Sequence, residues 1–456
     1  MKPLIGTLAF LCSTIFVAMS CPAQTTTSPS LADCESRSIE QKKEWGKTTH
    51  SFMANVFHKE HSDIAGNWCH IWEARGADRI PKIEDFGRTV FTGDGIHPAI
   101  GSIVPGSGLA AGLAFNLQRA AASHPIRYST NIEARGSFNA FWTAGAKLDL
   151  VGSGDRGDDP RHNRLVLSVQ HSDLPQLAYF GLGNSSSTAN QSVYGLTETM
   201  PQLSFEVPVP KGFKFSALAA GLWAGPRGFH DSAVPSIEQR FKVVNTPALN
   251  TATAYAIFGG GILWEYPVEQ RERGYRTSIS GLFRVFHEAG NEPFSFRRAD
   301  VAWVQSYTPD VEVDLGTISL VSRLVTSIAP AGNSVPFYLQ PTLGGTDIFN
   351  QDVLRSYHDY RFRAPYTLSF QTEYEHKIKD PLGALLFWDV GKVAQARSDL
   401  DLSHLRHTFG FGITFRAGGF PIFKLYYALG GREGTHINYT GNTNNFIAKG
   451  PLGPLF

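Results

Sequence analysis

The chain has 456 residues, a formal net charge of +1, 18% charged, 42% hydrophobic and 12% aromatic residues. A charge this balanced excludes a nucleic-acid binder, which needs a basic face to displace counterions. With 45 glycines, 32 phenylalanines and few helix-forming stretches, the composition is that of a β-protein with many turns.

Residues 1–23 read as a secretory signal. Lys2 supplies the positive start, 4–19 the apolar region, and Cys21-Pro22-Ala23 a small-residue cleavage site before Gln24. Acylation of Cys21 is a weaker reading, because Ala18 stands where a lipoprotein site usually carries leucine. An uncleaved anchor is weaker still, since the apolar run is short for a span. No later run approaches the ~20 apolar residues of a membrane helix, so the exported chain is either soluble or a barrel. Residues 24–95 form a short periplasmic segment, opening on a Ser/Thr-rich spacer at 25–30, with a short helix expected around 36–57. With Cys12 and Cys21 inside the signal region, Cys34 and Cys69 are left, either as a disulfide in an oxidising compartment or as two free thiols. His58, His61, Cys69 and His70 include one ligand-like spacing, but the two halves match no metal site, and surface histidines are the better reading.

From about residue 96 a turn–strand rhythm runs to the C-terminus. Strands are expected over 102–118, 127–135, 141–151, 164–171, 176–182, 202–209, 213–223, 252–266, 274–287, 295–307 and 311–327. A long stretch at 330–365 interrupts them, and 366–377, 383–393, 406–416, 423–430 and 435–446 follow. Alternation is clearest after the interruption. Tyr366, Leu368, Phe370 and Tyr374 take one parity, and Thr367, Ser369, Gln371, Glu373 and Glu375 the other. Ala384, Leu386, Trp388 and Val390 stand opposite Gly383, Leu385, Phe387, Asp389 and Gly391. Phe409, Phe411, Ile413 and Phe415 oppose Thr408, Gly410, Gly412, Thr414 and Arg416. Side chains change face at every strand residue, so each run gives one greasy and one more polar surface. Trp142, Trp223, Trp264, Tyr266, Trp303, Tyr307 and Tyr427 lie near segment ends, where an interfacial aromatic girdle would sit. The fold expected is all-β: a transmembrane antiparallel β-barrel of about 16 strands over 96–446, with a tail at 447–456. The rival is a soluble sandwich or propeller, but no internal repeat supports a propeller and sandwich strands run shorter.

Other constellations carry little. The glycines of Gly106-Ser-Gly-Leu-Ala-Ala-Gly112 lack the lysine and helix of a nucleotide loop, so turn and strand glycines are the reading. No Gly-x-Ser-x-Gly string occurs, and no acid–base partner is placed for a serine. Neither an enzyme nor a cofactor is expected.

One string is specific. Gly344-Gly345-Thr-Asp-Ile-Phe-Asn-Gln-Asp-Val-Leu354-Arg355-Ser356-Tyr357-His-Asp-Tyr360-Arg361-Phe362-Arg363 resembles the inward-folded loop of the BamA/TamA-type outer-membrane assembly proteins, the bacterial surface antigen superfamily. That loop carries a (V/I/L)-R-G-(F/Y) motif, and Leu354, Arg355, Ser356 and Tyr357 occupy it here. The resemblance implies that Arg355 bonds two lumen-facing acids, Glu373 and Asp389. Parity agrees independently, because both acids fall opposite the greasier side of their own strand, and a carboxylate facing lipid would be costly. The two acids could also be read as a general acid–base pair, but an arginine-bound structural pair explains them better. Five strands follow the loop, as in the family, and Tyr179-Phe180-Gly181-Leu182-Gly183-Asn184-Ser185 is similar to an early-barrel string of these proteins.

By this resemblance the protein works in the outer membrane of a Gram-negative-type bacterium, after Sec-type export. Its partners would be lipid and client outer-membrane or secreted proteins, which it inserts or exports at a weak seam between first and last strand. The alternative is a transport pore or structural barrel without that activity. Three departures bear on the choice. Ser356 replaces the motif's glycine, which would limit any need for positive φ there. Only about 75 residues separate the signal from the barrel, without the strand-helix-helix-strand-strand order of the family's periplasmic modules. Both Phe446 and Phe456 are candidates for the C-terminal aromatic signal.

Overall fold

The computed structural model describes residues 94–120, 126–152, 162–229, 233–267, 273–309, 316–349, 351–379, 382–417, 420–430 and 435–441. The signal region, Cys34, Cys69, His58, His61, His70, Phe446 and the tail therefore lie outside the described residues.

Sixteen strands form one antiparallel sheet. They begin with β1 (Gly95–Gly101), β2 (Ala110–Ala120), β3 (Ile126–Ser137), β4 (Trp142–Gly152), β5 (Arg164–Tyr179) and β6 (Ser192–Val209). Next come β7 (Phe213–Gly228), β8 (Thr253–Tyr266), β9 (Gly274–Glu288), β10 (Phe296–Thr308) and β11 (Thr317–Ile328). The two-residue strands β12 (Thr342–Leu343) and β13 (Phe362–Arg363) pair with each other as a separate ribbon. The sheet resumes with β14 (Tyr366–Lys379), β15 (Leu382–Ala394), β16 (Arg406–Ala417), β17 (Phe420–Leu429) and β18 (Thr435–Gly441). Each sheet strand pairs with its chain neighbour, and β11 pairs with β14 across the excursion.

The sheet curls on itself. Strands lie about 4.8 Å apart, so β6 and β16, eight places apart in strand order, would be roughly 40 Å apart if it were flat. Instead the β5–β6 turn meets β16 directly, with Arg406 donating to the Asn184 carbonyl oxygen at 2.6 Å. The two surfaces follow the parity of the sequence. Ile132, Leu167, Leu203, Phe258, Phe283, Val301, Phe409 and Phe411 are exposed on the outside. Trp142, Trp223, Tyr266, Trp303 and Tyr307 are exposed with them. A soluble monomer rarely presents so continuous an apolar surface, and a lipid-facing band requires one. Inside, at the end that carries the longer connections, Tyr179, Tyr194, Tyr255, Phe286, Phe296, Phe337 and Tyr338 form a packed aromatic core.

The expected strand number is right through two compensating errors. Segments 164–171 and 176–182 are one strand, β5, whose register shifts between Leu174 and Leu177 around Pro175. Proline is tolerated at such a bulge, and the slip breaks the alternation that a sequence reading follows. Conversely, β1 escaped notice because Gly-Ile-His-Pro-Ala-Ile-Gly reads as a turn, although an edge strand can hold Pro98. The expected strand at 102–118 therefore begins late: 102–109 is a turn, with positive φ at Gly106 and Gly108, and the strand starts at Ala110. Among the described residues no ladder joins β1 to β18, so the cylinder expected from the sequence is not closed by hydrogen bonds.

Candidate functional site

The connection from β11 to β14 folds into the interior and organises itself locally. The β12–β13 ribbon closes its base by pairing Thr342 with Arg363 and Leu343 with Phe362. Above it, Gly344 N–H donates to Val353 O at 3.1 Å and Val353 N–H to Gly345 O at 2.9 Å. Gly344, at φ +111, has no room for a side chain, since a Cβ would fall 2.5 Å from that of Arg361. The residues that leave ordinary backbone space in the motif region are Leu354 (φ +55) and Tyr360 (φ +58), whereas Ser356 does not. The expected conflict between serine and a positive φ therefore does not arise.

Arg355 is the centre of the arrangement. Its Nε and Nη2 donate to the two oxygens of Asp389 at 2.9 and 2.8 Å, its Nη1 donates to Glu373 Oε2 at 3.0 Å, and its backbone N–H donates to Asp389 Oδ2 at 3.2 Å. The sheet register explains the reach. Asp389 lies opposite Gln371, two residues from Glu373 on the same face, so the acids are diagonal neighbours. That spacing, ~7–8 Å between backbones, suits a planar fork touching both. The guanidinium also lies 3.5 Å from the centroid of the Phe387 ring. Asp389 is fully buried, and its two oxygens are the acceptors of this fork.

Ser356 adds a contact that a glycine could not. Its hydroxyl lies 2.7 Å from Thr408 Oγ1 on β16 and donates to Gly430 O, just beyond β17, at 3.3 Å. Leu354 and Tyr357 pack with Leu343, Val353, Phe362 and Val393 in a small apolar cluster. The four motif residues thus divide the work: Arg355 binds the wall acids, Ser356 binds β16, and Leu354 and Tyr357 fill the gap between loop and wall.

Several partners are not evident from the sequence. Lys424 on β17 donates to the second oxygen of Glu373 at 2.6 Å, so this carboxylate is shared by two cations. Its signal was available: a lone lysine on the inner parity of an otherwise apolar strand needs a partner. Arg323 on β11 forks onto Asp300 at 3.0 and 2.5 Å and donates to Gln351 of the loop at 2.7 Å. Arg298 on β10 donates to Ser327 Oγ at 2.9 Å and to the carbonyl oxygen of Leu339. Within the loop, burial pushes the Asp359 carboxyl up to about 6; an N–H bond from Thr346 offsets part of this and nearby Asp352 adds to it.

An outward apolar surface, a packed interior and a buried inward connection define a transmembrane-type antiparallel β-barrel with an inserted loop. Its fold is similar to that of BamA from Haemophilus ducreyi lacking POTRA domains 1–3 (TM-score 0.51, 13% identity, 76% of this chain and 69% of that one). CdiB from Acinetobacter baumannii aligns with a TM-score of 0.42 and 10% identity over 75% of this chain and 58% of its own. No family model and no curated protein matches the sequence. The BamA-type barrel read from the loop motif is thus met by a solved barrel of the same fold.

Proposed function

We propose that the protein is an outer-membrane barrel that inserts or exports other outer-membrane proteins, with the inserted loop stabilising the wall beside a seam at β1 and β18. The observation that carries this reading is the contrast along the sheet. β1 and β18 are the two end strands of the sheet, and among the described residues no ladder connects them, whereas every other sheet strand is paired on both sides. A strand edge with unpaired amides is a template for another chain, so a client strand could add there. In this role the partners are membrane lipid outside and client proteins at the seam. The chain would reach the Gram-negative outer membrane by Sec-type export, and the work would need no catalysis and no cofactor.

The packed aromatic core and buried loop argue against an open transport pore. Quantitative outer-membrane proteomics after deletion of the gene separates the readings. The expected result is depletion of a subset of other barrels, restored by the wild-type chain. An unchanged barrel complement would overturn the proposal.

A further inference from the structure

The turn between β5 and β6, Phe180-Gly181-Leu182-Gly183-Asn184-Ser185-Ser186, takes no part in the Arg355 cluster, yet it binds the other limb of the inserted loop. Its path depends on glycine. Gly181 and Gly183 sit at φ +94 and +93, and a Cβ on Gly181 would press on the Phe241 ring at 3.2 Å. On this frame Phe180, 1% exposed, receives the His358 ring with centroids 5.8 Å apart and planes 20° from parallel. The Arg361 guanidinium lies 4.9 Å from the same ring centroid. Arg361 Nη1 donates to Ser186 Oγ at 2.7 Å and Nη2 to Ser186 O at 2.6 Å. Gly183 N–H donates to Arg363 O at 2.7 Å. The same turn also holds β16: Asn184 Nδ2 donates to His404 O at 3.0 Å, and Arg406 Nη2 donates to Asn184 O at 2.6 Å.

One seven-residue turn thus fastens a limb of the loop and the start of β16 to the opposite wall. We infer that this turn is a latch: while it holds His358, Arg361, Arg363 and Arg406, the loop end of β16, and with it β17 and β18, cannot swing away from the far side of the barrel. The consequence for client entry rests on the proposed seam. The latch itself needs only that no ladder joins β1 to β18 among the described residues.

The test uses the full chain in planar bilayers, where movement of β16–β18 would appear as transient ionic openings. Arg361→Gln and Phe180→Leu are each expected to raise the opening frequency about ten-fold, the population shift from losing roughly one buried hydrogen bond's worth of free energy. A reducible tether, made by joining Asn184→Cys and Arg406→Cys with a bis-methanethiosulfonate linker long enough to replace the arginine side chain, should, in the Arg361→Gln background, return the frequency to the wild-type level and release it on reduction. Wild-type opening frequencies in both single variants, or a linked tether (confirmed by mass spectrometry) without effect, would overturn the latch. Because no client is present, failure of the insertion reading would leave this result unchanged.

Discussion

The inserted loop is held by two arginine sites of different character. At Arg355 the cation is matched by anions: two carboxylates, one wholly buried, on adjacent strands. At Arg361 and Arg363 the contacts include a hydroxyl, backbone oxygens and aromatic faces, among them Ser186, Phe337 O and the Phe180 ring. The difference sets what happens on breakage. Removing one member of the first site strands a charge in the interior, a cost of several kcal/mol. Removing one of the hydrogen bonds in the second orphans a polar atom, which costs about 1–3 kcal/mol. The first site therefore decides whether the loop is inside, and the second how firmly its far limb is fastened.

The comparison is broken most directly at Arg355. Arg355→Ala should cost about 3–5 kcal/mol of loop anchoring, because it leaves Asp389 buried without its fork. The heat-modifiable gel shift would then fall to lower temperature. Adding Glu373→Gln or Asp389→Asn to it should cost less than the sum of the single effects; full additivity would mean the three residues are not one cluster. Of the two acids Glu373 should matter less, since it is partly exposed and accepts one bond from Arg355, whereas Asp389 is fully buried and accepts three.

A second prediction concerns pH. Asp359 has a folded-state pKa of about 6, above its ordinary 3.8, so its neutral form suits the folded loop. Its contribution is fully present below about pH 4 and is lost as pH rises to about 6. Protection of the loop amides from hydrogen exchange should decline over this window in the wild type, and Asp359→Asn should flatten that decline. An identical slope in the variant would remove Asp359 as the cause.

The smallest effect is expected at Ser356. Ser356→Gly restores the residue of the family motif but deletes the hydroxyl contacts to Thr408 and Gly430. It should lower the unfolding midpoint by the equivalent of about 0.5–1.5 kcal/mol. A more stable glycine variant would show that the serine contact is not the gain inferred from its geometry.

Legibility differed between the two arginine sites for a physical reason. Arg355 was readable because its partners sit on strands with clear alternation, where parity alone sends Glu373 and Asp389 inward. Arg361 and Arg363 stand in the same string, but Arg361 bonds a turn about 175 residues away and Arg363 reaches Phe337 O and Tyr194, and local patterning says nothing about which segment closes over which limb. Ser356 was misjudged for a related reason. A motif letter does not tell which neighbour carries the positive φ, and here it is Leu354.

Residue order alone determined the strand character, the two-faced sheet and the inward direction of the acids, because each is local and repeats every second residue. It could not determine where register slips at Pro175, that β1 is a strand, or that the β5–β6 turn meets β16. Those depend on strand pairing and on the curl of the whole sheet, which bring together residues hundreds of positions apart that carry no mutual signal in the chain.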